Sequence, residues 1–114
     1  MKITKTSNVE KSAVRIDGAE GVRIQWLISK EDGAQNFAMR MFEVQPGGYT
    51  PLHIHSHEHE VFIIEGRGIF ICEGAEHEFG PEYVIFVPPN KEHRFKNTGE
   101  TLLRFLCLIP ASAV

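Results

Sequence analysis

The sequence predicts an all-β domain, and three observations predict it. Apolar and polar residues alternate over short stretches, the spacing of half-buried strands. Gly, Pro and Asn punctuate those stretches at close intervals. No segment sustains a helical period, so helix is limited to a turn or two. Val22, Ile24, Trp26 and Ile28 alternate with Arg23, Gln25, Leu27 and Ser29 as the first clear strand. Asn36 to Gln45 is a second, closed by Pro46-Gly47-Gly48. His53 to Glu65 follows, then the tight turn Gly66-Arg67-Gly68 and the strand Ile69 to Glu73. Gly74-Ala75-Glu76-His77 reads as a polar hairpin tip, and Tyr83 to Val87 as a strand ending at Pro88-Pro89-Asn90. His93 to Lys96 and Leu102 to Ile109 complete the set around the turn Asn97-Thr98-Gly99-Glu100. Short strands in this succession imply a closed or sandwiched β-structure. Residues 1–20 are the least patterned, and are expected to form a loose arm or an edge strand pairing with a second subunit.

A chain of 114 residues fits one domain, residues 1–114, and 42% hydrophobic residues can fill a core without disulfides. The net charge of -3 and the absence of a Lys/Arg cluster argue against a nucleic-acid partner. No apolar run is long enough to span a bilayer, which argues against a membrane partner. The polar N-terminal segment does not read as a secretory signal, so the expected address is cytoplasmic. Cys72 and Cys107 both sit in apolar runs and are expected to be buried thiols rather than a disulfide.

The chemistry concentrates in one segment. Four of the six histidines lie in His53-Ile54-His55-Ser56-His57-Glu58-His59. Residues i and i+2 of a strand share a face, so His53 and His55 can hold one metal ion between them. A turn at Ser56 to Glu58 would then bring His59 back toward the pair. A fourth ligand has to come from elsewhere, and His93 is the isolated histidine that follows a strand-ending turn. His57, within the turn, and His77, in the hairpin, are expected to be solvent-exposed non-ligands.

These motifs resemble those of the cupin superfamily. In its first motif a glycine is followed after five residues by His-x-His, then by a carboxylate and a later glycine. Here Gly47 precedes His53-Ile54-His55, and Gly66 closes the motif. Glu60 satisfies only one of the two flanking spacings of the carboxylate position, whereas His59 satisfies both. The register therefore places a histidine where most cupins carry glutamate. In the second motif Pro88-Pro89-Asn90 is followed after two residues by His93 and after three more by Asn97. Asn90 replaces a glycine there, which asparagine tolerates because it adopts positive φ readily. Gly80 stands seven rather than five residues before Pro88.

The pattern looks like the four-histidine variant of small manganese cupins from thermophilic bacteria, over most of residues 20–110. The resemblance implies a double-stranded β-helix (jelly-roll) barrel and a homodimer that pairs through the N-terminal arm. It also implies one divalent metal on His53, His55, His59 and His93, manganese first, with iron, nickel, zinc and copper as alternatives. Imidazole ligands alone do not choose among these metals.

Four neutral imidazoles leave the full charge on the ion, which makes it a strong Lewis acid. Along Ala38 to Val44, Glu43 is expected to face water, which places Val44, Phe42 and Arg40 on the inner face. A guanidinium inside a barrel needs a polar or anionic partner. Arg40 is therefore the candidate for stabilising negative charge on a small-molecule substrate. Arg104 is expected to face out and Phe105 and Cys107 inward; Phe62, Ile64, Phe86 and Phe95 are expected in the core or lining the cavity. The function expected is a metal-dependent, dioxygenase-like oxidoreductase on a small organic substrate. The alternative is a non-catalytic metal-bearing binding or sensing domain. A sugar isomerase would need a more polar barrel, and fold alone does not choose.

Overall fold

A computed structural model describes residues 1–114. Nine strands form one continuously hydrogen-bonded, curled sheet: β1 (Ser12–Ala13), β2 (Glu20–Ile28), β3 (Phe37–Tyr49), β4 (His59–Glu65), β5 (Gly68–Cys72), β6 (Ala75–Phe79), β7 (Val84–Val87), β8 (His93–Asn97) and β9 (Leu103–Pro110). The only helical pieces are single 3₁₀ turns at Thr6–Asn8, Lys30–Asp32 and Ala111–Ala113. All strand pairs are antiparallel, in the order β6-β5-β8-β3-β9-β4-β7, with β2 and β1 added on β3. The sheet rolls into the expected jelly-roll barrel.

β3 is the strand that turns one half of the roll into the other. Its first part pairs with β9 from Phe37↔Pro110 to Val44↔Leu103, and its last residue pairs with β8 at Tyr49↔Lys96. Pro46-Gly47-Gly48, expected to close the strand, lies inside it. There the β2–β3 register jumps from Glu20↔Tyr49 to Val22↔Val44, so extra residues of β3 are accommodated as a bulge that bends it. Gly48 is required at this crossing: a Cβ would lie 2.5 Å from the Glu20 carbonyl oxygen.

The segment expected as a hairpin tip is instead a strand, β6. The turn is only Glu73-Gly74, whose φ values of 50° and 79° are both left-handed, as a two-residue type I′ hairpin requires. β6 escaped notice because its side chains up to Phe79 are exposed and polar. Asn90 has φ 63°, the conformation expected of it. Asn97 is buried and donates to the carbonyls of Val44 (2.8 Å) and Thr101 (2.9 Å), while its Oδ1 accepts from the Gly99 amide. It holds the β8–β9 turn in shape.

One end of the barrel is packed by aromatic pairs, Phe95 stacked on Phe105 with ring centroids 4.5 Å apart and Phe70 tilted against Phe95 at 4.9 Å. Val44, Ile63, Val87 and Leu103 complete the floor beneath the histidines. Phe62 and Phe86 correct the expectation that they line core or cavity. Val61 and Ile63 point inward, which turns Phe62 (39% exposed) and, opposite Glu60 on the same face, Phe86 (57%) to the outer surface. Both faces of β4 and β7 are apolar, so alternation alone could not say which faced in.

The N-terminal residues pack on their own barrel. β1 pairs with β2, and Gln25, itself buried, donates through Nε2 to the carbonyls of Thr6 (2.7 Å) and Val9 (2.9 Å). This cover accounts for a second correction. Glu43 does not face water: it is 3% exposed and takes ion pairs from Lys11 (2.9 Å), Arg23 (2.9 Å) and Arg104 (3.5 Å). Arg104 lies on this outer face, bridging Glu43 and Glu65. Burial raises the Glu43 pKa, but the three cations outweigh burial and hold it below the ordinary carboxylate value.

A depressed folded pKa means that the unfolded state binds the extra proton, so stability is present at neutral pH and lost as pH falls through the carboxylate range. Glu43→Gln is expected to cost about 2 kcal/mol at pH 7 and to flatten the acid side of the stability curve. Thermal melts from neutral pH into the acid range check this. A variant whose melting temperature falls as steeply as that of wild type refutes it.

Candidate metal centre

The open end of the barrel holds a cavity of about 300 Å³. Its polar floor is His53, His55, His57, His59 and His93 with Arg40 and Cys107, and its walls include Val14, Ile16, Ile24, Trp26, Phe42 and Ile109. β4 opens on His59, which is 6% exposed, and β8 opens on His93, also buried. His53 joins His93 through a two-way backbone bridge, His53 N–H to His93 O at 3.0 Å and the reverse at 2.8 Å. That bridge carries the His53–His55 segment over the barrel mouth.

Ring nitrogens of His55, His59 and His93 lie within 4.8 Å of one another, close enough to hold one ion. The His53 ring packs against His55, centroids 4.8 Å apart. Glu60 points away: it is exposed and pairs with Phe86 and Leu108 across the outer sheet. His77 is exposed, as expected. His57 is not: it is half-buried and lines the cavity, its ring 4.9 Å from those of both His55 and His59. It lies in a bend at Ser56-His57, as expected, but the bend turns its ring toward His55 and His59 rather than to solvent.

The electrostatics suit a cation held by neutral nitrogen. Burial, reinforced by neighbouring histidines and Arg40, lowers the pKa of His55 to about 4, and burial followed by Arg40 lowers that of His59 to about 3. His53 and His57 are lowered for the same first reason. At neutral pH these four rings are uncharged and keep a lone pair for a metal. His93 donates from Nδ1 to the Lys91 carbonyl at 2.8 Å, the outer contact that frees Nε2 as a ligand atom. His59 Nε2 is buried with no hydrogen-bond partner, an orphan that an ion would satisfy. The residues present fit a divalent metal.

Arg40 and Cys107 stand behind His59. Arg40 Nη2 lies 3.2 Å from His59 Nδ1 and donates to Cys107 Sγ at 3.0 Å, with His59 Nδ1 3.3 Å from that sulfur. The guanidinium also rests over the rings of Phe42 (5.0 Å) and Trp26 (5.7 Å), which holds it in the cavity. Arg40, Phe42, Phe105 and Cys107 all line the cavity, the inner face expected for them. Cys107 is buried and burial raises its thiol pKa. Cys72 is only half-buried, less than expected, and both thiols are free.

Residues 40–109 match the Cupin domain family. The chain belongs to the cupin family. Relatives of the cupin carry varied names. It is 34% identical to an oxalate-binding protein of Thermotoga maritima over 81% of its own length and 78% of that protein. It is 36% identical to the 1-methylthio-D-xylulose 5-phosphate methylsulfurylase of Rhodospirillum rubrum over 64% of its length, and that match spans 47% of the longer protein. In structure it superposes on the polyketide cyclase RemF from Streptomyces resistomycificus with a TM-score of 0.91, at 35% identity, covering 97% of this cupin and 80% of the cyclase. No helix of the cupin is long and apolar enough to cross a membrane.

Proposed function

We propose that this cupin is a metal-dependent oxidoreductase of dioxygenase type acting on a small, largely apolar organic substrate with an ionisable oxygen. The observation that carries the reading is a cluster of imidazoles at the floor of an apolar cavity with one guanidinium beside it. His53, His55, His59 and His93 hold one divalent ion, manganese first and iron, nickel, zinc or copper as alternatives. The ion supplies Lewis acidity and a site for oxygen chemistry when bound. The chain's own residues do the rest: Trp26, Ile24 and Ile109 bind the apolar part of the substrate and exclude water, while Arg40 stabilises its anionic oxygen.

The likeness to a polyketide cyclase favours a second reading, non-oxidative carbonyl chemistry at the same site. Substrate loss by the manganese-loaded protein, followed with an oxygen electrode across catechols, β-diketones and alkenes, separates the two. The expected result is oxygen uptake matched to substrate loss and abolished by chelator. Equal turnover without oxygen supports the second reading. Tight binding without turnover supports a binding or sensing domain.

The whole chain, residues 1–114, is taken as one cytoplasmic domain that works as a homodimer. Support comes from the outer surface of β4 and β7, where Val84 (75% exposed), Phe86 and Phe62 form an apolar patch on an edge strand. With the N-terminal residues engaged on their own barrel, this surface replaces the arm as the proposed contact. Light scattering at micromolar concentration is expected to give twice 12.9 kDa, and Phe86→Lys to shift it to the monomer. A wild-type monomer refutes the dimer.

A further inference from the structure

The contacts of His59 do not suit a metal-bound ring as they stand, and the mismatch assigns roles to its two neighbours. A neutral imidazole carries one ring proton, and the nitrogen without it accepts hydrogen bonds or binds metal. Arg40 has only donors, so its Nη2 at 3.2 Å makes His59 Nδ1 the acceptor. The ring proton then sits on Nε2, the buried atom without a partner. That is also the only ring nitrogen left for an ion, because Nδ1 is engaged. An ion on Nε2 requires the proton on Nδ1, where it would face the Arg40 donor. One of the two must give way.

We propose that metal loading turns Arg40 away from His59 into the cavity, and that Cys107 Sγ then accepts a hydrogen bond from the His59 Nδ1–H and orients the ring. The sulfur is already 3.3 Å from Nδ1, and thiol sulfur is a weak acceptor. Arg40 has somewhere to go: its Nε makes no hydrogen bond, it lines the open cavity, and the faces of Trp26 and Phe42 carry its charge. Cys107 is thus a positioning residue for the metal ligand. Arg40 competes with the metal when the site is empty and becomes available to a substrate anion only once it is filled. The inference rests on the proposed metal site, and makes the loading of that site the event that presents the guanidinium.

Two measurements test it. Nitrogen-15 correlation spectra of the imidazoles of the wild-type protein are expected to show His59 protonated at Nε2 without metal and at Nδ1 with zinc. Chelator competition for zinc is expected to give about tenfold weaker binding for Cys107→Ala, recovered in Cys107→Ser, whose hydroxyl also accepts. Arg40→Met is expected to bind zinc about tenfold more tightly, the opposite sign to the loss of a supporting contact. A zinc-loaded His59 still protonated at Nε2, or an Arg40→Met protein with equal or weaker affinity, overturns the proposal. Should a variant fail to fold, the wild-type spectra decide alone. If wild type binds no zinc, the metal-site reading falls with it; if zinc binds and the tautomer is unchanged, only this inference falls.

Discussion

His59→Ala is expected to lower the affinity for a divalent ion by about a hundredfold or more, while Glu60→Gln leaves it unchanged. Loss of an outer-shell partner already costs about 10- to 100-fold, and His59 offers a ring nitrogen directly to the site. The two residues are adjacent in sequence but opposite in the pleat: His59 is buried against His55 and His93, Glu60 lies on the outer sheet beside Phe86. The His53→Ala, His93→Ala double variant is expected to retain no stoichiometric metal. Elemental analysis and chelator competition measure both effects. Metal loss in Glu60→Gln with retention in His59→Ala would make the carboxylate the ligand and reverse the register proposed for the site.

The register proposed for the site rests on flanking glycines that are structural. Gly66 has φ 87°, and a Cβ there would lie 2.6 Å from the Leu102 carbonyl, so its spacing to His59 is held by backbone geometry. The inner face of β3 was legible because Arg40, Phe42 and Val44 share the two-residue period of a strand. What lay outside that face was not. Glu43 was assigned to water because it carries charge, but Lys11, Arg23 and Arg104, none of them near it in sequence, assemble over it. Such a cluster is a tertiary event that no local period encodes. Phe62 and Phe86 failed for the complementary reason, because strands apolar on both faces leave the choice of inner face to packing. His57 shows a third kind of loss: the bend expected around it is there, but a residue in a bend need not face solvent, and its ring turns into the cavity.

Arg40→Ala is expected to lower turnover by about 100-fold while leaving the metal in place, the loss seen when a preorganised charge-stabilising donor is removed. Apart from Thr50 the cavity is apolar above its floor, and Arg40 is the only guanidinium that lines it. An oxygen that becomes anionic during the reaction would find in it the one permanent positive charge supplied by the chain. Because that help is needed mainly as charge develops, the loss should fall on kcat more than on KM. Arg40→Lys keeps the charge but not the planar fork, and is expected to recover part of the rate. Steady-state kinetics alongside metal analysis of the same samples distinguish this from a disturbed site. Full activity in Arg40→Ala would leave the metal chemistry standing and remove Arg40 from it. A loss of rate matched by loss of metal would instead make Arg40 a support for His59, contrary to the tighter binding expected when its competing donor is removed.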